Sequence, residues 1–105
     1  MMRIAFKMKL HEGYEKEYIE RHNPIWKELE ELLYEQGVLT YSIFHDEETN
    51  ILFGYAEIED LKKWEAVADS AICREWWDYM APLMEVNDDK SPVSKDLTEV
   101  FHIEH

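Results

Sequence analysis

The sequence predicts an α+β fold in which helices pack against an antiparallel sheet of four strands. Apolar and polar residues alternate with a period of two at the start of the chain and in a hairpin at its middle, as in half-buried strands. Between these segments, apolar residues recur at helical spacing, and residues suited to cap a helix precede several of them. The predicted order is strand, two helices, two strands, two helices, strand.

The first strand is expected over residues 3–10. Its apolar side carries Ile4, Phe6, Met8 and Leu10, and its other side carries Arg3, Ala5, Lys7 and Lys9. The strand should therefore bury one face.

Two helices follow, separated by Asn23 and Pro24. The first is expected over residues 12–22, with Tyr14, Tyr18 and Ile19 facing inward. Asn is a good N-cap and Pro fits the first helical position, so this dipeptide predicts the start of the second helix. The second helix carries Ile25, Leu29, Leu32 and Leu33 at helical spacing. It should end near Gly37, which is a typical C-terminal residue.

Residues 38–45 and 51–58 predict a hairpin around the polar turn 46–50. In its second strand one face carries Leu52, Gly54, Ala56 and Ile58, and the other carries Phe53 and Tyr55. Both faces are apolar enough to need cover. Helices can cover one face, and a second copy of the chain is the economical cover for the other. We therefore expect a homodimer.

Asp60 and Ser70 each predict the start of a further helix. The apolar residues of these helices are Leu61, Trp64, Val67 and Ala68 in the first and Ile72, Cys73, Trp76, Trp77 and Met80 in the second. Pro82 should end or bend the second helix. Residues 85–96 are polar and predict a loop, and residues 97–103 predict the last strand. This order of elements is the split-βαβ, ferredoxin-like arrangement.

Length and charge exclude several classes of protein. A chain of 105 residues suits one domain, here 1–105, and 46% hydrophobic residues suffice for a core. A net charge of -13 would repel nucleic acid and anionic membranes, so neither is an expected partner. The single cysteine, Cys73, precludes an internal disulfide and fits a reducing compartment. With no signal-peptide pattern at the N-terminus, we expect a cytoplasmic protein.

Tyr18 and His22 are the first candidates for chemistry, because they lie four residues apart on one face of a predicted helix. Pro24 breaks the helix just beyond His22, which leaves the imidazole where a pocket can open. One interpretation is a histidine that only bonds carbonyls at a helix end. The other is a general acid/base group, since imidazole exchanges protons near neutral pH. The partial negative charge of the helix end should favour protonated His22.

Three aromatic residues are candidates for ligand contacts. Trp76 and Trp77 point about 100° apart on a helix, so one could enter the core while the other lines a cleft. They are either core or interface residues, or flat surfaces that stack on a sugar ring. Tyr41 is either a core tyrosine or a pocket residue whose hydroxyl faces a ligand.

The sequence offers little to a metal or organic cofactor. It contains no CxxC, HExxH, GxGxxG or P-loop motif, and its three glycines cannot build a nucleotide cradle. Cys73 has no activating neighbour and is interpreted as a small core residue. We expect no metal site and no cofactor.

The motifs together resemble the L-rhamnose mutarotase family. The resemblance rests on the segments 22–26 (His-Asn-Pro-Ile-Trp), 28–30 (Glu-Leu-Glu), 76–77 (Trp-Trp), 91–94 (Ser-Pro-Val-Ser) and 99–101 (Glu-Val-Phe). Their order and spacing match from the first strand to Phe101, nearly the whole chain. The ending His-Ile-Glu-His has no evident counterpart.

The resemblance implies a dimeric ferredoxin-like α/β barrel without metal or organic cofactor. It implies an isomerase that interconverts the α and β anomers of L-rhamnose by acid/base-catalysed ring opening and closure. His22 would be the catalytic proton donor, and the sugar-binding residues would be Tyr18, Tyr41, Trp76 and Trp77. The ligand would be L-rhamnose or a related 6-deoxy aldose. The second proton acceptor stays open between a carboxylate, Tyr18 and water.

The alternative is a non-catalytic domain that binds a small sugar or other small ligand on the same dimeric scaffold. The ferredoxin-like fold also carries cofactor-independent monooxygenases and lactone isomerases, so the fold alone does not decide. A binding domain would bind sugar without accelerating anomer exchange. A heme- or quinol-type oxygenase is a third interpretation, which heme binding or oxygen uptake would reveal.

Overall fold

The computed structural model describes residues 1–105. Its elements are β1 (Met2–Lys9), α1 (Glu15–His22), α2 (Lys27–Glu35), β2 (Val38–Asp46), β3 (Ile51–Ile58), α3 (Leu61–Ala66), α4 (Ala71–Met80) and β4 (Lys95–Leu97). Short 3-10 turns, Val67–Asp69 and Ala81–Leu83, follow α3 and α4. No helix is both long and apolar enough to cross a bilayer.

The four strands form one sheet in the order β2-β3-β1-β4, and all its pairs are antiparallel. β1 and β3 pair along their whole length, from Met2 opposite Ile58 to Lys9 opposite Ile51. β4 pairs with β1 over three residues only, Ala5 to Lys7. This topology confirms the predicted ferredoxin-like fold.

The helices cover one face of the sheet, which we call the inner face. The largest fully buried side chains are Leu10, Leu52, Ile58 and Leu83. The core also contains Tyr18 and Leu29 from α1 and α2 and Trp76 and Met80 from α4. The alternation predicted for β1 and β3 is confirmed, because Met8, Leu52, Ala56 and Ile58 are all buried.

The other face of the sheet, the outer face, is not covered within the chain. Phe44 pairs with Phe53 there, and Leu97 pairs with Ala5. Phe44 is 66% exposed, and Phe53 and Leu97 are also exposed. An apolar surface of this kind usually marks an interaction site.

The predicted start of α1 and its inward face are partly wrong. A turn at Gly13, with φ of +87°, delays the helix until Glu15. Tyr18 is buried as predicted, but Tyr14 and Ile19 are exposed, Ile19 by 57%. Tyr14 lies before the first residue of the helix, and Ile19 points about 100° away from Tyr18 around the helix axis.

The predicted cap at Asn23 is also wrong. Its side-chain Nδ2 donates to the carbonyl oxygen of Ile19 at 2.8 Å, so Asn23 closes α1 rather than opening α2. α2 begins at Lys27, three residues beyond Pro24. An Asn side chain can accept or donate, and sequence alone does not tell which helix it serves.

The caps of the second half are confirmed. The Asp60 carboxylate accepts from the backbone N–H of Lys62 at 2.9 Å, and the Ser70 hydroxyl accepts from Cys73 at 3.2 Å. Pro82 lies in the 3-10 turn that ends α4.

The last predicted strand, 97–103, is mostly wrong. β4 covers Lys95–Leu97, so it begins inside the predicted loop, and residues 98–105 form no helix or strand. Val100 is 92% exposed, and Phe101 also faces solvent. The composition of this segment suits a strand, but a strand also needs a neighbour, and no strand of this chain pairs with it.

Gly54 is required by the ring of Phe6, which lies across the inner face of β3. A Cβ at Gly54 would lie 2.4 Å from Cζ of Phe6. We expect Gly54→Ala to lower the free energy of unfolding by about 1–3 kcal/mol, because the ring must move out of a packed layer. Urea unfolding would measure the change. The double variant with Phe6→Leu should cost less than the sum of the single changes, and strict additivity would contradict this explanation.

Candidate active site

A cleft of about 900 Å³ opens between the inner face of the sheet and the helices. The cleft is lined by all five candidate residues from the sequence, namely Tyr18, His22, Tyr41, Trp76 and Trp77. α1 supplies the first two, β2 supplies Tyr41, and α4 supplies the tryptophans. Residues from three distant parts of the chain therefore share one cavity.

His22 is the last residue of α1, and its ring has a fixed hydrogen-bond role. Nδ1 lies 2.9 Å from the backbone carbonyl oxygen of Tyr18. Because a carbonyl oxygen only accepts, Nδ1 carries the hydrogen and donates. Nε2 has no hydrogen-bond partner within the chain. In the neutral imidazole, Nε2 therefore holds a lone pair that can accept a proton.

Burial lowers the pKa of His22, and the hydrogen bond to the Tyr18 carbonyl opposes this effect only in part. The expectation that the helix end favours a protonated His22 is therefore wrong. A helix terminus contributes about half an elementary charge. Partial removal of the imidazolium from water costs more here, so the neutral form is favoured.

Aromatic rings enclose the imidazole. The ring centroids of Tyr18 and His22 are 4.3 Å apart, and Trp76 meets His22 edge-on at 5.1 Å with an interplanar angle of 90°. Trp26 then packs on the far side of this group, 5.0 Å from Trp76. These contacts keep the imidazole in one orientation.

Two phenol hydroxyls are open to the cleft. Burial raises the pKa of Tyr18 and, with smaller effects of Tyr18 and Cys73, that of Tyr41. Neither hydroxyl makes a hydrogen bond within the chain. Every fully buried side-chain nitrogen or oxygen atom of the chain does have a hydrogen-bond partner. Both hydroxyls must therefore reach the open volume of the cleft, and their raised pKa keeps them protonated and able to donate.

Tyr41 is both a core residue and a pocket residue, the two interpretations that the sequence left open. Its ring packs in the core, 6.1 Å from the ring of Phe6 and 5.5 Å from that of Trp64. Its hydroxyl, in contrast, faces the cleft.

The tryptophan pair divides as its helical spacing predicts. Trp76 is buried in the core, Trp77 is half-buried, and both line the cleft. The indole N–H groups make no hydrogen bond within the chain, so by the same reasoning neither is fully enclosed by protein. Each can donate to a ligand oxygen.

Several polar residues of the cleft were missed in the sequence. Carboxylates line it at Glu30, Glu65 and Asp96, and the loop before β4 adds Asn87, Ser91 and Ser94. Asp96 reaches the inner face because it pairs with Phe6 of β1. The segment 85–96 gave no alternation that could have placed it, and only the Ser-Pro-Val-Ser motif pointed there.

Cys73 also lines the cleft. Cys73 is buried, as expected for a core thiol, and burial raises its pKa to about 11. His, Cys, Asp and Glu side chains form no group of three that could hold a metal ion.

Comparison with protein-family models matches residues 3–103 to L-rhamnose mutarotase. The chain belongs to the L-rhamnose mutarotase family. An L-rhamnose mutarotase from Lachnoclostridium phytofermentans is 53% identical over 104 residues, which is 99% of this chain and 100% of the relative. The family model thus covers the same part of the chain as the sequence motifs that resemble this family.

Solved structures agree with this membership. The crystal structure of an L-rhamnose mutarotase from Formosa agariphila has a TM-score of 0.91 and 48% identity, and covers 99% of this chain and 100% of its own. A dimeric ferredoxin-like protein from an uncultured marine organism has a TM-score of 0.64 at 11% identity, covering 98% and 97% of the two chains. The second likeness concerns the fold alone.

Proposed function

We propose that this protein is an L-rhamnose mutarotase in which His22 exchanges the proton that opens and closes the sugar ring. The observation that carries this proposal is the unpartnered Nε2 of His22 in a cleft with two free phenol hydroxyls. Membership of the L-rhamnose mutarotase family supplies the substrate.

Ring opening begins with neutral His22. Nε2 accepts the proton of the anomeric hydroxyl, the O1 electrons form the C1=O1 double bond, and the C1–O5 bond breaks. O5 takes up a proton as it leaves. Rotation about C1–C2 then presents the other face of the aldehyde, and the reverse steps close the ring. His22 is therefore the acceptor on opening and the donor on closure.

The second proton, at O5, needs another carrier. The raised pKa of Tyr18 and Tyr41 makes full transfer of a phenol proton costly, so these residues act as hydrogen-bond donors to sugar oxygens. Water in the open cleft is the better proton source and sink.

The cleft is suited to a small neutral sugar. Indole faces and edges pack on the C–H groups of a sugar ring, and their N–H groups donate to its hydroxyls. Apolar walls such as Ile43 and Met80 offer a place for the methyl group of a 6-deoxy sugar. A neutral ligand also meets no penalty from the net charge of -13.

The variant His22→Asn should abolish catalysis while keeping the fold. An Asn amide can still donate towards the Tyr18 carbonyl, but it has no group in place of Nε2. We expect anomer exchange of L-rhamnose to slow by about 10²- to 10⁴-fold, the usual contribution of a positioned acid/base. NMR exchange spectroscopy between the two anomeric protons measures it.

His22→Ala, which also removes the imidazole, should show the same loss. A circular dichroism spectrum checks that both variants are folded. A folded His22→Asn protein with wild-type exchange would refute the assignment of His22. A wild-type protein that binds L-rhamnose without accelerating exchange would instead indicate the binding-domain alternative.

The pH dependence should report a neutral His22. Because burial lowers its pKa below the ordinary value of about 6.5, the imidazole is deprotonated at neutral pH. After subtraction of uncatalysed exchange, kcat/KM should be constant at neutral pH and fall as the pH drops through this lowered pKa. A kcat/KM that rises on acidification would mean that His22 must start as the acid.

We also propose that the protein is a homodimer formed through the outer face of the sheet. Phe44 and Phe53 are exposed opposite each other on the adjacent strands β2 and β3 of this face, and Leu97 is exposed on β4, on the far side of β1. A structural neighbour of the same fold is described as dimeric. Two-fold symmetry would pack this surface on its own copy.

Phe44→Glu should dissociate this dimer, because it would bury a charge within the interface. Analytical ultracentrifugation should give twice the 12.7 kDa chain mass for the wild type and the single-chain mass for the variant. Leu61→Glu, an exposed apolar position on the helix side, is the matched control. A wild-type protein of single-chain mass would exclude the dimer.

A further inference from the structure

Trp77 is joined to the neighbouring loop by a single guanidinium group. Cζ of Arg74 lies 5.0 Å from the centroid of the Trp77 ring, within the range of a cation–π interaction. Nη1 of the same side chain lies 3.1 Å from Oδ2 of Asp89. Arg74 precedes Trp77 by one turn of α4, whereas Asp89 lies in the loop before β4. We call this pair the Arg74–Asp89 clamp.

The loop at the other end of the clamp is held by its own hydrogen bonds. The second carboxylate oxygen of Asp89 accepts from the backbone N–H and the hydroxyl of Ser91. Asn87 donates its backbone N–H to the Ser91 carbonyl at 2.7 Å and its Nδ2 to the Ser91 hydroxyl at 3.0 Å. These bonds from Ser91, together with Arg74, lower the pKa of Asp89 to about 2, so it is charged at neutral pH.

The clamp lies outside the cleft, although both parts that it joins line the cleft. Trp77, Asn87 and Ser91 are lining residues, whereas Arg74 and Asp89 are not. The guanidinium therefore has no direct access to a ligand there. It can act only through the separation and orientation of the two walls.

We propose that Arg74 is a positioning residue for the sugar, which fixes Trp77 and the loop 87–91 at the separation that one sugar ring requires. The planar guanidinium stacks on the indole and bonds the carboxylate at the same time, which a lysine ammonium does less well. The inference rests on the proposed function, in which Trp77 contacts L-rhamnose.

Arg74→Met tests the clamp through the kinetics of anomer exchange. We expect KM for L-rhamnose to rise about two- to fivefold, as exposed cation–π and ion-pair contacts allow, with kcat unchanged because His22 is untouched. Arg74→Lys should lie between wild type and Arg74→Met. Lys27→Met, which removes another exposed cation of an ion pair outside the cleft, is the matched control and should leave KM unchanged.

Two further measurements separate positioning from a merely structural role. Asp89→Asn should raise KM, and the double variant with Arg74→Met should be no worse than Arg74→Met alone, because both break one linkage. High salt should raise KM of the wild type towards that of Arg74→Met and barely affect the variant. An unchanged KM in Arg74→Met, or a loss confined to kcat or folding, would overturn the proposal.

Failure of the proposed function gives a different result. If the wild type binds L-rhamnose without accelerating exchange, the dissociation constant from tryptophan fluorescence replaces KM, and the same variants test the clamp. If the wild type does not bind L-rhamnose at all, both proposals are wrong.

Discussion

The contact between α1 and α4 is the constraint on which the candidate site depends. Arg21, beside His22, donates to the Tyr79 carbonyl and to the Glu17 carboxylate, and its guanidinium lies 4.2 Å from the Tyr79 ring centroid. The Tyr79 carbonyl belongs to the last turn of α4, where a cation is favourable. This link sets the distance between the helix that supplies His22 and the helix that supplies Trp76.

Aromatic packing continues the same link into the cleft. Tyr79 packs on Trp26 and Trp76 at ring distances of 5.2 and 5.7 Å, and Trp76 in turn meets His22. On the sheet side, the Phe6 ring lies over Gly54 and against Tyr41. Large rings with two side-chain torsions lose little conformational entropy when they pack, so they define a rigid cavity at low cost.

What could be predicted from the sequence was decided by local chemistry. Alternation in β3 and the caps at Asp60 and Ser70 depend on neighbouring residues only, and the structure has them as predicted. The role of Asn23 and the end of β4 depend on which partner is present in space, and both were mispredicted. The gathering of five candidate residues in one cleft was anticipated, but Asp96 was not, because its place follows from pairing with β1.

The charge state of His22 shows the same distinction and bears on how the cleft can discriminate ligands. Burial, which only the folded chain shows, lowers the pKa of His22 by more than the helix end raises it. The site therefore presents a neutral imidazole, two phenols and two indole N–H groups. Nε2 of His22, the phenol hydroxyls and the indole N–H groups lack hydrogen-bond partners within the chain. A ligand that hydrogen-bonds these groups keeps them paired when it displaces water. An apolar ligand would leave them unpaired, which lowers the binding free energy it can gain. The cleft therefore favours a polyhydroxy ring over an aromatic molecule of similar size, which is consistent with a sugar isomerase on a fold that also carries other chemistry.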